Sequence, residues 1–157
     1  MLESAAEVYA RVVTLLPPYD GGPERSATDD ADCFSCGGEG GAVRVWENDR
    51  WKLSRQPETT GVPLVLCLAS KEHLDYADMD DLMAAEYGRI SSRLCRIISR
   101  LRDVGRVHVC RWGDDSRHLQ VWFIARASQP PVPEETWVEE LRLVATKLAN
   151  HDGQALV

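Results

Sequence analysis

The residues Ser116 to Arg126 read Ser-Arg-His-Leu-Gln-Val-Trp-Phe-Ile-Ala-Arg. In an extended chain, successive side chains point to opposite faces. His118, Gln120, Trp122 and Ile124 therefore share one face, and Leu119, Val121, Phe123 and Ala125 share the other. The second set is wholly apolar and belongs against a core. The first set spaces an imidazole, an amide and an indole at steps of about 7 Å. An imidazole can act as nucleophile or metal ligand, an amide can donate to and accept from a phosphate, and an indole can stack on a base. That is the pattern of a ligand-binding strand; its rival is an edge strand with a polar outer face. A second group is Cys33-Phe34-Ser35-Cys36, two thiols at metal-ligand spacing, against the alternative of a loop with two thiols.

The elements that must position these groups follow from periodicity. Residues 2–16 carry Ala5, Val8, Val12 and Leu15 or Leu16 at helical spacing, ended by Pro17-Pro18. Residues 17–42, dominated by Gly, Pro, Asp and Ser, read as a loop that contains the two thiols. Val43–Trp46 and Trp51–Leu53 flank the turn Glu47–Arg50 as a hairpin, and Leu64–Leu68 is a short apolar strand of central type. Residues 79–102 form a long amphipathic helix, with Leu82, Tyr87, Ile90, Leu94, Ile97 and Leu101 on its apolar stripe and Asp78, Asp80 and Asp81 at its positive end. Val107–Trp112 and His118–Ile124 form a second hairpin around Gly113–Ser116. Pro131 and Pro133 open a last helix, with Trp137, Leu141, Val144 and Leu148 on one face. Hairpin connections predict an α+β domain with a mostly antiparallel, five-stranded sheet, packed with the long helix and the C-terminal helix. Residues 1–31 are expected as an N-terminal helix and flexible loop, 32–150 as the domain, and 151–157 as a tail.

Composition narrows the function. A chain of 157 residues suits one domain with a real core, and 44% hydrophobic with 27% charged residues is globular. The net charge of −7 argues against gripping a nucleic-acid polymer through a basic surface, yet leaves room for a single nucleotide in a locally positive pocket. No apolar run reaches the roughly 20 residues of a membrane span, and the first residues lack a basic secretory region, so a cytoplasmic protein with no membrane partner is expected. There the five cysteines are thiols or metal ligands. Cys67, Cys95 and Cys110 sit in apolar runs and read as small core residues. His108 reads as strand packing or surface, and His151 as solvated. Trp46, Trp51 and Trp137 read as core or interface, whereas Trp112 and Trp122 flank the hairpin and are candidates to stack on a base.

Over residues 32–126 the order of motifs resembles the histidine triad superfamily of nucleotide-binding proteins. The Cys33-Phe34-Ser35-Cys36 element, Gly61-Val62-Pro63 leading to a central strand and Lys71-Glu72-His73, the long helix, and the His118-to-Arg126 segment follow that family's sequence of features. The resemblance implies a zinc site closed by Cys33, Cys36, His73 and His118, a nucleotide or nucleotide-like ligand, and a homodimer formed by the long helix and a neighbouring strand. Its chemistry implies a nucleotidyl-histidine intermediate on the middle histidine of a His-x-His-x-His motif. Anchored on Arg126, that position here is Gln120, and an amide is a very poor nucleophile. Ser116, Arg117, Gln120 and Trp122 would then hold a ligand with catalysis lost, weak or redirected. A second register, like the His-x-His-x-Gln-Val-Trp of the uridylyltransferase branch, places Ser116 first and makes His118 the nucleophile. The two registers compete, because a His118 that holds zinc is not the nucleophile. A third reading keeps only the fold, as a protein-interaction module.

Overall fold

A computed structural model describes residues 33–37, 42–56, 64–111, 118–128 and 134–157. The helix expected over 2–16 lies outside them, as do most of the 17–42 loop, Trp112, Ser116 and Arg117. A single helical turn, α1 (Phe34–Gly37), precedes strands β1 (Val43–Glu47), β2 (Trp51–Arg55) and β3 (Leu64–Ser70). A 3₁₀ turn at Tyr76–Asp78 leads into helix α2 (Asp81–Ile98). Strands β4 (Val104–Cys110) and β5 (Gln120–Ala127), helix α3 (Glu134–Ala149) and a two-residue strand β6 (Gln154–Ala155) follow.

The sheet has six strands in the order β4-β5-β3-β2-β1-β6, and every pairing is antiparallel. The α+β architecture is as expected, but the strand count is one higher than the five read from sequence. The extra strand is β6, which pairs Ala155 with Trp46 and Gln154 with Glu47. β3 is central, as its apolar run foretold, and both expected hairpins are present.

Alternation sorts the sheet into two faces. Leu53, Leu66, Leu68, Val121, Phe123 and Ala125 are buried in the core with Ile90, Leu94, Ile98, Trp137, Leu141 and Val144 of α2 and α3. All four predicted core residues of the chemistry-bearing strand, Leu119 among them, are at most 2% exposed. Removing a buried ring such as Phe123 would cost about 3–5 kcal/mol through lost transfer energy and the cavity left behind. The other face carries Lys52, Ser54, Cys67, Ala69, Gln120 and Trp122 in adjacent rungs: Lys52–Ala69–Gln120 and Ser54–Cys67–Trp122. Among the described elements, only α1 stands over it.

Local chemistry sets the helix boundaries. The Asp80 side chain accepts from the Met83 backbone N–H at 2.7 Å, an N-cap that starts α2 two residues later than the stripe suggested. The cap also sets the phase: Met83 faces the core, whereas Leu82, placed on the stripe from sequence, is 71% exposed. Two cysteines read as core are less enclosed. Cys67 is buried, but Cys95 and Cys110 are only partly so. Burial pushes both of those thiols above the ordinary range, with Arg96 partly offsetting the rise at Cys95, so they remain protonated spectators.

Candidate metal centre and ligand face

His118 lies just before β5, where the chain is clamped from two sides. The Leu119 N–H donates to the Leu74 carbonyl at 2.7 Å, and the Ser70 N–H donates to the Leu119 carbonyl at 3.2 Å. This clamp brings His118 beside the end of β3 and beside His73, which follows that strand; the two rings meet edge to face at 5.4 Å. His118 is 2% exposed, and its Nε2 lies 2.7 Å from the Ser70 carbonyl oxygen. A carbonyl only accepts, so Nε2 must carry the proton, and the Nδ1 lone pair is left for another partner.

That partner position is set by α1. The Cys36 N–H donates to the Cys33 carbonyl at 3.1 Å, which closes the turn and points both thiols the same way. His118 Nδ1 is 3.5 Å from Cys33 Sγ and 3.3 Å from Cys36 Sγ, and His73 Nδ1 is 3.3 Å from Cys36 Sγ. One donor atom from each of Cys33, Cys36, His73 and His118 falls within 4.8 Å of all the others. Tetrahedral zinc with Zn–S about 2.3 Å and Zn–N about 2.0–2.1 Å separates S and N ligands by about 3.5 Å. The donor set and its spacing therefore fit zinc. Two thiolates with two imidazoles make a closed, structural type of site, and the Ser70 carbonyl is the outer partner that fixes one ligand's tautomer. The four residues expected to share a metal are thus brought together from a turn, the end of β3 and the start of β5. Ser70 was not singled out from sequence: a serine ending an apolar strand carries no signal of the backbone carbonyl role it plays.

Gln120 and Trp122 stand on the open face of β5, partly exposed. Gln120 Nε2 donates to Ser35 Oγ, and Lys52 Nζ donates to the Ser35 carbonyl at 2.7 Å. Lys52 is therefore 8% exposed despite lying on the side of the sheet away from the helices. Its partner role was missed from sequence, although the alternation Trp51-Lys52-Leu53-Ser54 already turned it away from the core. A recess of about 120 Å³ lies here, bordered by Ser35, Lys52, Cys67, Gln120 and Trp122. On the other side of α1 a groove of about 560 Å³ is bordered by Ser35, Cys36, Arg44, Lys52, Lys71 and His73. Glu47 sits beside that groove, 2.8 Å from Arg44 and 3.6 Å from Lys71. Burial alone would raise its carboxyl, but the Gln154 amide, Lys71 and Arg44 together hold it below the ordinary value. His108 is exposed on β4 opposite Ile124, and His151 is exposed near the C-terminus. Neither contributes to the metal cluster.

No protein-family model matches the sequence, and a search among curated proteins gives no significant match. Solved structures do match the fold. A zinc-bound histidine triad family protein from Mycobacterium smegmatis superposes with a TM-score of 0.55 at 16% identity, covering 79% of this chain and 100% of that one. A histidine triad protein from Bradyrhizobium japonicum gives 0.55 at 17% identity over 68% of this chain and 90% of that one. A hypothetical histidine triad nucleotide-binding protein from Sulfolobus tokodaii strain7 gives 0.54 at 13% identity over 69% and 85%. The chain has the histidine triad fold. Its Cys33, Cys36, His73 and His118 form a cluster suited to structural zinc on that fold. Among the described residues, no helix is long and apolar enough to cross a membrane.

Proposed function

We propose that this chain is a nucleotide-binding protein on the histidine triad fold that has given up nucleotidyl-transfer chemistry. The ligand, a nucleotide or nucleotide-like molecule, lies on the open face against Gln120 and Trp122, with Ser116 and Arg117 as further ligand-binding residues. Zinc on Cys33, Cys36, His73 and His118 acts as a structural clip.

One observation carries the reading. His118 is buried, its Nε2 is committed to the Ser70 carbonyl and its Nδ1 faces two sulfur atoms. An imidazole so placed is a metal ligand and weighs against the register in which it attacks phosphorus. The side chain that does stand on the ligand face is Gln120, whose amide hydrogen-bonds but does not form a covalent phosphoryl intermediate. His108 shares that face two rungs further along β5, beside Ile124 rather than Gln120. A reducing compartment such as the cytoplasm would keep both thiols competent for metal. A homodimer through α2 and the edge strand β4, where Leu82 and Val109 are exposed, completes the proposal. Light scattering should then return twice the chain mass.

The catalytic half of the proposal is tested on nucleoside phosphoramidates and dinucleoside polyphosphates. Wild type is expected to show no turnover above background, and Gln120→His to gain some. Wild-type turnover that His118→Ala abolishes, with the fold intact, would overturn it in favour of an active enzyme.

A further inference from the structure

Ser35 occupies an unusual position, because it belongs to the metal turn and to the ligand face at once. It sits between Cys33 and Cys36, it is 6% exposed, and its two oxygens accept from Lys52 and Gln120. The turn is thus tethered at one end by the Cys-His cluster and pressed at the other onto the residue proposed to meet the ligand. It is also the wall between the two cavities, since Ser35 and Lys52 border both. The recess on the Gln120 and Trp122 side measures about 120 Å³. Pockets that enclose a small organic ligand run to about 300–1,000 Å³. With α1 in place, the recess admits only a fragment of a nucleotide. With α1 displaced, it would run into the open groove beyond, which Ser35 and Lys52 also border.

We propose that α1 is a metal-held shutter, so that zinc on the Cys-His cluster and a nucleoside phosphate on the Gln120 and Trp122 face oppose one another through Ser35. This rests on the reading of that face as the ligand site. Zinc fixes Cys33 and Cys36 and so holds Ser35 on Lys52 and Gln120. Loss of the metal frees the turn, uncovers Cys67 and releases the Gln120 amide to the ligand. Linkage makes the effect reciprocal, since a ligand that displaces Ser35 must weaken zinc by the same factor that zinc weakens the ligand. Couplings of this kind commonly amount to about 5- to 150-fold.

The experiment uses the full chain, zinc-loaded and chelator-stripped, with retention of fold checked by circular dichroism. Cys67 is 7% exposed and lines the recess that Ser35 also borders, so its alkylation by iodoacetamide, read by peptide mass, reports opening without any ligand. The rate is expected to rise about tenfold or more on stripping, and AMP to bind at least fivefold more tightly. Should stripping unfold the chain, Cys36→Ser, which takes one thiol of the turn out of the cluster, is expected to raise the Cys67 rate in its place. Equal Cys67 rates in both metal states, or Cys36→Ser at the wild-type rate where stripping unfolds the chain, would overturn the shutter even if AMP binds. Cys67 unmasked with AMP bound by neither form would instead overturn the proposal through the ligand reading on which it rests.

Discussion

Replacing His118 with alanine should cost both metal and stability. The side chain is 2% exposed and donates through Nε2 to the Ser70 carbonyl at 2.7 Å. Its removal leaves that buried acceptor without its donor, a penalty of about 1–3 kcal/mol. The space vacated by the ring adds a cavity cost of about 2 kcal/mol, the low end for large-to-small core changes, so the sum is about 3–5 kcal/mol. For a chain of this length each kcal/mol shifts Tm by about 2–4 °C, which predicts a fall of roughly 6–20 °C. The zinc cluster loses one of its four ligands in the same step, so bound zinc should drop well below one per chain. Calorimetry and elemental analysis measure the two effects on one sample. His108→Ala is the control: the ring is exposed on a neighbouring strand and its loss should change stability by less than about 0.5 kcal/mol. A His118→Ala protein that keeps one zinc per chain and the wild-type Tm would refute the placement of His118 as a buried ligand.

Other consequences follow from single positions. Gly153 has φ +76°, and a Cβ there would lie 2.3 Å from the Glu47 carbonyl oxygen, so Gly153→Ala should loosen β6 and cost about 1–3 kcal/mol, read as a Tm several degrees lower. Burial pushes the Glu140 carboxyl above its ordinary value of 4.5, and the Asp103 backbone N–H only partly offsets the rise. A raised carboxyl favours the fold below the unfolded value and loses that contribution as pH rises through the folded one. Glu140→Gln should therefore raise Tm at pH 7, with the advantage fading as pH falls through the raised folded value and gone below about 4.5; an equal gain at every pH would assign the effect to packing instead.

Much of the site was legible from residue types because alternation and helical spacing are local rules. The steps of two from Leu119 to Ala125 pick out the core side correctly, and four apolar positions on α3 are all buried. The zinc set came from the order of motifs, and only folding brings Cys33 within 3.5 Å of a histidine 85 residues away. What escaped was tertiary. β6 is two exposed residues with no alternation to read, and its pairing with β1 is set by Gly153 and by the Trp46 indole donating to the Asp152 carbonyl at 2.8 Å. Met83 rather than Leu82 faces the core because the Asp80 cap fixes where the helix starts. Ser35 on Gln120, and Lys52 beneath it, depend on a turn folding onto a strand, which no spacing encodes.

The most direct test of the central claim is titration of wild type with AMP followed by tryptophan fluorescence and calorimetry, beside Trp122→Ala. Saturable binding that Trp122→Ala abolishes, without turnover, is the predicted result. No binding at millimolar AMP, or binding untouched by the loss of Trp122, would contradict it and leave a histidine triad fold put to a different use.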